Sequence, residues 1–171
     1  MLLRHAKSDW KTDMASDYER PLSRRGIKDA PRMGRWLAQQ SLLPDLVLSS
    51  AATRAHRTTE AVCAALAIPK DRIRWDDRIY EATTGTLLAV LADCPPAAGR
   101  VLLVGHNPGL EQLLIYLCGN GARVEPGAKL LPTTGLAVIE TECAWPELNP
   151  DCGRLARLVR VRDLPEETVA G

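Results

Sequence analysis

Basic side chains follow each of three short apolar runs in this chain, and they are of the types that bind or attack a phosphoryl group. The runs and the residues after them are residues 1–3 with Arg4 and His5, residues 46–50 with Arg54, and residues 101–105 with His106. Each run is typical of a buried strand. Because ligands of an open α/β sheet bind at the carboxyl ends of its strands, we expect these side chains to converge on one pocket.

A phosphoryl group in transfer carries negative charge on three oxygens, and the planar guanidinium of arginine can bind two of them at once. Arg4, Arg20 and Arg54 are the candidates for this role. A neutral imidazole can attack phosphorus, and neighbouring cations keep it neutral by lowering its pKa. His5 is therefore the predicted nucleophile. His106, just before a predicted helix, is placed to bind a phosphate oxygen.

Each of these residues has an ordinary structural alternative, because most histidines are structural and an arginine at a helix start is usually solvated. Their shared position after strands favours a common site. His56 has no strand in front of it, and we expect it at the surface. The segment from Cys94 to Arg100 fits the C-x5-R pattern of cysteine phosphatases. We reject that alternative, because Pro95 and Pro96 lack the N–H groups that such a phosphate loop needs.

The composition predicts one globular domain, since 46% of the residues are apolar and 25% are charged. We expect this domain to span residues 1–162 and to be followed by an acidic tail at residues 163–171. A formal charge of +1 indicates neither nucleic acid nor a membrane as a partner. The three scattered histidines predict no metal site and no cofactor. Five cysteines without a C-x-x-C pair and the lack of an apolar leader favour a cytoplasmic protein.

Strands and helices alternate along the chain, which predicts a three-layer α/β/α sandwich with a mostly parallel central sheet. We expect strands at residues 1–5, 45–50, 73–75, 100–105, 135–140 and 155–161, and helices at residues 24–39, 53–66, 84–91 and 108–118. Ser23 is expected to cap the first helix, with Ile27 on its buried face and Pro31 kinking it or ending its first part. Asn107 and Pro108 are expected as N-cap and first residue of the last helix.

Four segments, in the expected order, resemble the motifs of the histidine phosphatase superfamily. They are Leu3-Arg4-His5-Ala6-Lys7-Ser8, Arg20-Pro21-Leu22-Ser23-Arg24-Arg25-Gly26, the Ser-x-x-x-Arg-Ala-x-x-Thr pattern within residues 49–58, and Val104-Gly105-His106-Asn107-Pro108. The short length, Arg20-Pro21-Leu22 and Tyr80-Glu81-Ala82 are most similar to the SixA-type phosphohistidine phosphatases. The resemblance covers residues 1–118. Members of this superfamily usually have a longer first strand, so Met1 is expected to be a misplaced or trimmed start.

This resemblance implies that His5 is the phosphorylated nucleophile and that Arg4, Arg54 and His106 act with it in catalysis. Arg20 would bind the phosphoryl oxygens of the substrate.

The role of Glu81 stays open. Relatives that cleave phosphomonoesters place an acid near the pocket to protonate the leaving oxygen, which Glu81 would do as a fifth catalytic residue. A surface carboxylate at a helix entrance is the equal alternative.

The resemblance also implies metal-independent hydrolysis of phosphohistidine on a protein, with a phosphohistidine-containing phosphotransfer protein as the candidate partner. Two alternatives remain. The first is a small-molecule phosphomonoesterase of the same superfamily, and the second is a non-catalytic module that binds phosphorylated ligands.

Overall fold

The computed structural model describes residues 1–10, 16–122 and 129–165. The strands in this part of the chain are β1 (Leu2–Arg4), β2 (Leu46–Ser49), β3 (Ile73–Trp75), β4 (Val101–Gly105), β5 (Leu136–Thr141) and β6 (Gly153–Val159). The α-helices are α1 (Arg24–Gln39), α2 (Thr53–Ala65), α3 (Thr84–Ala92) and α4 (Gly109–Cys118). Each predicted strand and helix is present, with bounds that differ by at most two residues.

The strands form one sheet in the order β3-β2-β4-β1-β5-β6. The first four of these are parallel, and β5 runs antiparallel to both of its neighbours. Successive residues of β1 face opposite sides of the sheet, as the pleat requires. Leu3 packs in a cluster with Leu37 of α1, whereas Leu2 packs in a second cluster with Leu113 of α4. The predicted three-layer α/β/α sandwich with a mostly parallel sheet is confirmed.

Helix α1 begins as predicted but buries a different residue in its first turn. The Ser23 hydroxyl accepts a hydrogen bond from the Gly26 amide at 3.2 Å. Gly26 is buried, and a Cβ there would lie 2.2 Å from the Lys7 carbonyl oxygen. Because Gly26 faces inward, the predicted burial of Ile27 is wrong, and its side chain is 60% exposed. Pro31 lies inside the continuous helix, so the helix does not end there, and the other predicted outcome, a kink, stays a prediction.

The start of α4 differs from the prediction. The helix begins at Gly109, with Pro108 rather than Asn107 in the cap position. The Asn107 side-chain amide instead donates to the Leu131 carbonyl oxygen at 2.9 Å. A Cβ on Gly109 would lie 2.2 Å from the Ala82 carbonyl oxygen. The close packing of Gly109 on Ala82 and the hydrogen bond from Asn107 to Leu131 therefore determine where this helix begins.

The carboxyl-terminal part of the fold ends against α1. Strand β6 stops at Val159, and Val161 lies in a short 3-10 turn rather than in the strand as predicted. Arg32 of α1 donates to the carbonyl oxygens of Leu164 and Pro165 at 3.3 Å. The beginning of the predicted acidic tail is thus held on the domain, and its residues 166–171 lie outside the described ranges.

Two further expectations concern the oxidation state of the cysteines and the length of the helices. Each of the five cysteines is a free thiol, and Cys63 and Cys118 are buried on helix faces as expected. Among the helices that the structure describes, none is long and apolar enough to cross a membrane.

Candidate active site

The two predicted histidines of the site leave the sheet side by side. Arg4 at the end of β1 is paired with Gly105 at the end of β4, so His5 and His106 emerge at the same edge. The backbone N–H of His5 donates to the Gly105 carbonyl oxygen at 3.0 Å. The two imidazole centroids are 5.0 Å apart. Strand register therefore brings together residues that are distant in the chain.

His5 is buried and held in one tautomer by the backbone carbonyl of the next residue. Its Nδ1 lies 2.8 Å from the Ala6 carbonyl oxygen, and because a carbonyl only accepts, Nδ1 must carry the ring proton. Nε2 then keeps its lone pair. Burial lowers the pKa of His5 to about 3, against the hydrogen bond to Ala6, and the charges of Arg54, Arg4 and Arg20 lower it further. The imidazole is neutral at physiological pH and nucleophilic at Nε2.

His106 is neutral for similar reasons. Burial lowers its pKa to about 3, and the neighbouring His5 and Arg54 add to the effect. Its Nε2 shares a hydrogen bond of 2.9 Å with the Ser50 hydroxyl, while Nδ1 is buried without a partner in the described part of the chain. The Tyr80 ring packs edge-on against the imidazole, with centroids 5.4 Å apart.

Arg54 and Arg20 are held together by one carboxylate. Arg54, on the first turn of α2, is buried and donates to Asp17 Oδ2 at 2.9 Å and to the Asp17 carbonyl oxygen at 2.6 Å. Arg20 forms an ion pair with Asp17 Oδ1 at 2.7 Å. The Tyr80 hydroxyl donates to Asp17 Oδ2 at 3.0 Å. Asp17 thus offsets the repulsion between two guanidinium groups that would otherwise separate.

A buried threonine fixes the start of α2 against the segment that follows β1. The Thr58 hydroxyl donates to the Arg54 carbonyl oxygen at 2.6 Å and accepts from the Ala6 amide at 2.9 Å. Because Ala6 adjoins His5, this hydroxyl sets the distance between the nucleophile and the helix that carries Arg54.

Several buried N–H groups at this site have no hydrogen-bond partner within the described residues. They are Arg4 Nε, Arg20 Nε and Nη1, Arg54 Nε and His106 Nδ1. Buried donors are rarely left unpaired, because an unmade hydrogen bond costs about 1–3 kcal/mol. Free donors grouped around two neutral imidazoles fit a ligand with several anionic oxygens.

The other two predicted residues lie at the edges of the site. Arg4 is half-buried, and one of its guanidinium nitrogens donates a hydrogen bond to the Leu131 carbonyl oxygen at 3.0 Å. Glu81 is exposed, has a left-handed φ of 50°, and makes no hydrogen bond or ion pair within the described ranges. Arg4 thus lies beside the nucleophile, whereas Glu81 is a solvent-exposed carboxylate next to Tyr80, and its catalytic role stays a prediction. The rejected C-x5-R segment is remote, since Arg100 precedes β4 and His106 follows it.

Sequence analysis missed four residues of this site, namely Asp17, Ser50, Thr58 and Tyr80. Three of them stand in motifs that carried the resemblance but had no role assigned. The signal for Asp17 is its position three residues before Arg20, a spacing that favours an ion pair within one turn. Among the described residues, no group of three or more histidine, cysteine or acidic side chains is placed to hold a metal ion.

Comparison with known proteins gives the class to which this fold and site belong. The profile of the histidine phosphatase superfamily (branch 1) matches residues 1–91, which include His5, Arg20 and Arg54. An uncharacterized protein of Mycobacterium tuberculosis is 33% identical over 157 residues, which are 90% of this chain and 96% of that protein. Phosphohistidine phosphatase SixA of Escherichia coli is 30% identical over 118 residues, 68% of this chain and 72% of that protein.

A solved structure agrees with these relatives. The putative phosphohistidine phosphatase SixA from Agrobacterium tumefaciens superposes with a TM-score of 0.77 at 32% identity, covering 93% of this chain and 95% of that one. The chain belongs to the histidine phosphatase superfamily, and its activity is that of a phosphatase. Within the superfamily it is of the SixA type.

Proposed function

We propose that the protein is a metal-independent phosphatase that acts through a phosphohistidine intermediate on His5, and that its substrate is phosphohistidine on another protein. The observation that carries the mechanism is the free Nε2 of a neutral His5 beside buried donors for which the described part of the chain offers no partner. The nucleophile and the hydrogen-bond donors then contact the same phosphoryl group: His5 attacks phosphorus, and the donors bind its oxygens.

In the first step, the Nε2 lone pair of His5 forms a bond to phosphorus while the bond from phosphorus to the leaving nitrogen breaks. The guanidinium donors of Arg4, Arg20 and Arg54 bind the oxygens as charge builds up on them. In the second step, water attacks phosphorus, the bond to Nε2 breaks, and His5 returns as a neutral imidazole with release of phosphate. Splitting one displacement into two lowers each barrier.

His106 has a donor role in this mechanism. When the Ser50 hydroxyl donates to Nε2 of His106, the ring proton must sit on Nδ1. Nδ1 is the buried nitrogen that lacks a partner among the described residues. It can therefore donate to a phosphoryl oxygen without the ring becoming charged.

The acid–base groups of the site support phosphohistidine over an alkyl phosphate. Burial tends to raise the pKa of Asp17, but the hydrogen bond from Tyr80 and the charges of Arg54 and Arg20 lower it overall. Burial, followed by the hydrogen bond to Asp17, raises the pKa of Tyr80. A carboxylate held ionised and a phenol held protonated are poor proton donors to a leaving oxygen. A phosphohistidine leaving group needs no such donor, because its second ring nitrogen can carry the proton.

Trapping the intermediate tests the mechanism. The enzyme is mixed briefly with ³²P-labelled substrate and quenched in alkali, because P–N bonds survive base and hydrolyse in acid. Label should appear on the wild-type protein, be released by acid, and never appear on the His5→Ala variant. His106→Ala keeps the attacking nitrogen and should label slowly. Label that survives acid, or that His5→Ala also acquires, would overturn the mechanism.

Substrate comparison and chelation test the rest of the proposal. A phosphohistidine-bearing phosphotransfer protein should be hydrolysed with a higher kcat/KM than sugar or glycerate phosphates. Activity should survive EDTA, and vanadate, which mimics five-coordinate phosphorus, should inhibit. Strong turnover of one small metabolite with none on the phosphoprotein would keep the mechanism and overturn the substrate. Loss on chelation that Mg²⁺ or Zn²⁺ restores would overturn metal independence.

A further inference from the structure

A basic groove lies beside the active site. It is a cavity of about 550 Å³ lined by the cations Arg25, Lys129, Arg160 and Arg162, together with Pro132 and Thr133. Among the described residues, no carboxylate lines it. The chain as a whole carries a net charge of only +1, so this groove is a local concentration of positive charge.

Strand register places the groove at the same sheet edge as the nucleophile. Leu3 of β1 is paired with Leu136 of β5, and Leu136 is paired with Val159 of β6. His5 lies two residues beyond Leu3, and Arg160 directly follows Val159. Two strand spacings, about 10 Å, therefore separate these positions across the sheet.

One segment forms a wall of both sites. The Leu131 carbonyl oxygen accepts from Arg4 at 3.0 Å, and the Thr134 amide donates to the His5 carbonyl oxygen at 3.2 Å. Between these two contacts, Pro132 and Thr133 line the basic groove. A ligand bound in the groove would therefore lie next to the phosphoryl site.

Half of the positive charge in the groove is not matched by a carboxylate. Arg25 is paired with Asp29, four residues on, at 3.2 Å, and Arg162 is paired with the adjacent carboxylate at 3.4 Å. Arg160 donates to the Lys129 carbonyl oxygen at 3.4 Å. Within the described ranges, neither Arg160 nor Lys129 has an acidic partner, so two cations remain for a ligand.

We propose that the basic groove binds acidic side chains of the phosphorylated protein, next to the residue that His5 dephosphorylates. This inference rests on the proposed function. A small phosphomonoester held at His5 does not span about 10 Å, so a ligand of both sites must extend beyond its reacting group. Among the described residues that line the groove, none has an aromatic side chain on which nucleic acid bases could stack. Carboxylates on a protein surface match the exposed cations.

Two double variants test this. Lys129→Gln/Arg160→Gln removes the two cations of the groove that have no acidic partner among the described residues, and Arg154→Gln/Arg157→Gln removes two exposed charges from β6 itself. The substrates are a phosphohistidine peptide flanked by glutamates, the same peptide flanked by glutamines, and an aryl phosphate. Binding of the unphosphorylated glutamate peptide and of a single-stranded oligonucleotide is measured in parallel by fluorescence anisotropy.

Wild-type enzyme should prefer the glutamate-flanked peptide over the glutamine-flanked one in kcat/KM. The groove variant should lose this preference, by about five- to tenfold for two exposed ion pairs, and keep its turnover of aryl phosphate. The β6 variant should behave as wild type. Equal kcat/KM for the two peptides, or equal losses in both variants, would overturn the proposed role of the groove and leave the proposed function intact.

The binding measurements distinguish a failure of the proposed substrate from a failure of the proposed groove. If neither phosphopeptide is hydrolysed while aryl phosphate is, the proposed substrate fails. The groove is then supported only if the unphosphorylated glutamate peptide still binds, more weakly to the groove variant than to the β6 variant, and is overturned otherwise. Tighter binding of the oligonucleotide, dependent on Lys129 and Arg160, would overturn the acidic-protein ligand.

Discussion

The two faces of α2 present the same residue types in opposite settings. Arg54 is buried and bonded to Asp17, whereas Arg57, less than one turn further on, has a side chain that is 66% exposed and paired with Glu60. His56 also lies on the outer face, where it stacks on the Trp75 ring with centroids 4.0 Å apart.

The difference between these faces is the environment of the charge. An exposed arginine has its charge screened by water, and its ion pair is worth about 0–1 kcal/mol. A buried arginine with free N–H groups is in a low-dielectric environment, where it attracts an anion much more strongly. The sheet edge, rather than the residue type, therefore selects Arg54.

The largest expected effect comes from the nucleophile. His5→Ala should lower kcat/KM by 10³-fold or more, on the order seen when a covalent nucleophile is removed. His56→Ala removes the same residue type from the outer face of α2 and should change kcat/KM less than twofold. Steady-state kinetics on aryl phosphate measure both. A similar loss in the two variants would contradict the contrast between buried and exposed histidines.

The two arginines of α2 test the same contrast on one helix. Arg54→Ala should cost on the order of 10²-fold in kcat/KM, as removal of a preorganised donor does. Arg57→Ala should be nearly neutral, because it breaks only an exposed ion pair with Glu60. Equal losses at the two positions would mean that the assignment of the faces is wrong.

The buried histidines should also make stability depend on pH. Both have a folded-state pKa of about 3 against an ordinary value of 6.5. Below pH 6.5 the unfolded chain binds protons that the folded chain does not, so stability falls as the pH drops. From about pH 6.5 to about pH 4.5, each histidine should cost about 2–3 kcal/mol.

Urea unfolding at a series of pH values measures this loss. The His5→Asn/His106→Asn double variant lacks both imidazoles and should show a smaller fall in unfolding free energy over the same range. Parallel curves for the variant and the wild type would contradict the low pKa values.

The smallest expected effect concerns the support of the inner face. Thr58→Val leaves the buried Ala6 amide without its acceptor, which should cost about 1–3 kcal/mol of unfolding free energy. Thr59→Val is the matched control, because its partner, the Ser49 hydroxyl, keeps a second hydrogen bond to the Ser50 carbonyl oxygen. Thermal unfolding should show the larger loss at Thr58. The reverse order would mean that this hydroxyl does not hold the site.

Local sequence determined the strands and helices and the convergence of the main site residues. Apolar runs of strand length and helical spacing are local signals, so each predicted strand and helix was found within a residue or two of its expected bounds. His5, Arg54 and His106 follow three neighbouring parallel strands. Parallel pairing aligns the carboxyl ends of such strands, which is why their meeting was predictable without coordinates.

Tertiary structure decided the contacts that depend on packing between segments. Gly26 against the Lys7 carbonyl sets the rotation of α1 and turns Ile27 outward. The bond from Asn107 to Leu131 removes the predicted N-cap of α4. Spacing along one segment does not specify such approaches, because they depend on how distant segments meet.

The arginines of the candidate active site show the same division. Sequence patterns supplied these arginines, but Asp17, three residues before Arg20, reaches Arg54 only because the 3-10 turn Asp17–Glu19 packs against α2. Glu81, also a carboxylate and part of a segment that carried the resemblance, remains exposed. Charge and residue type are properties of the sequence, whereas burial and partners, which set the pKa values and the strength of each contact, arise only when the chain has packed.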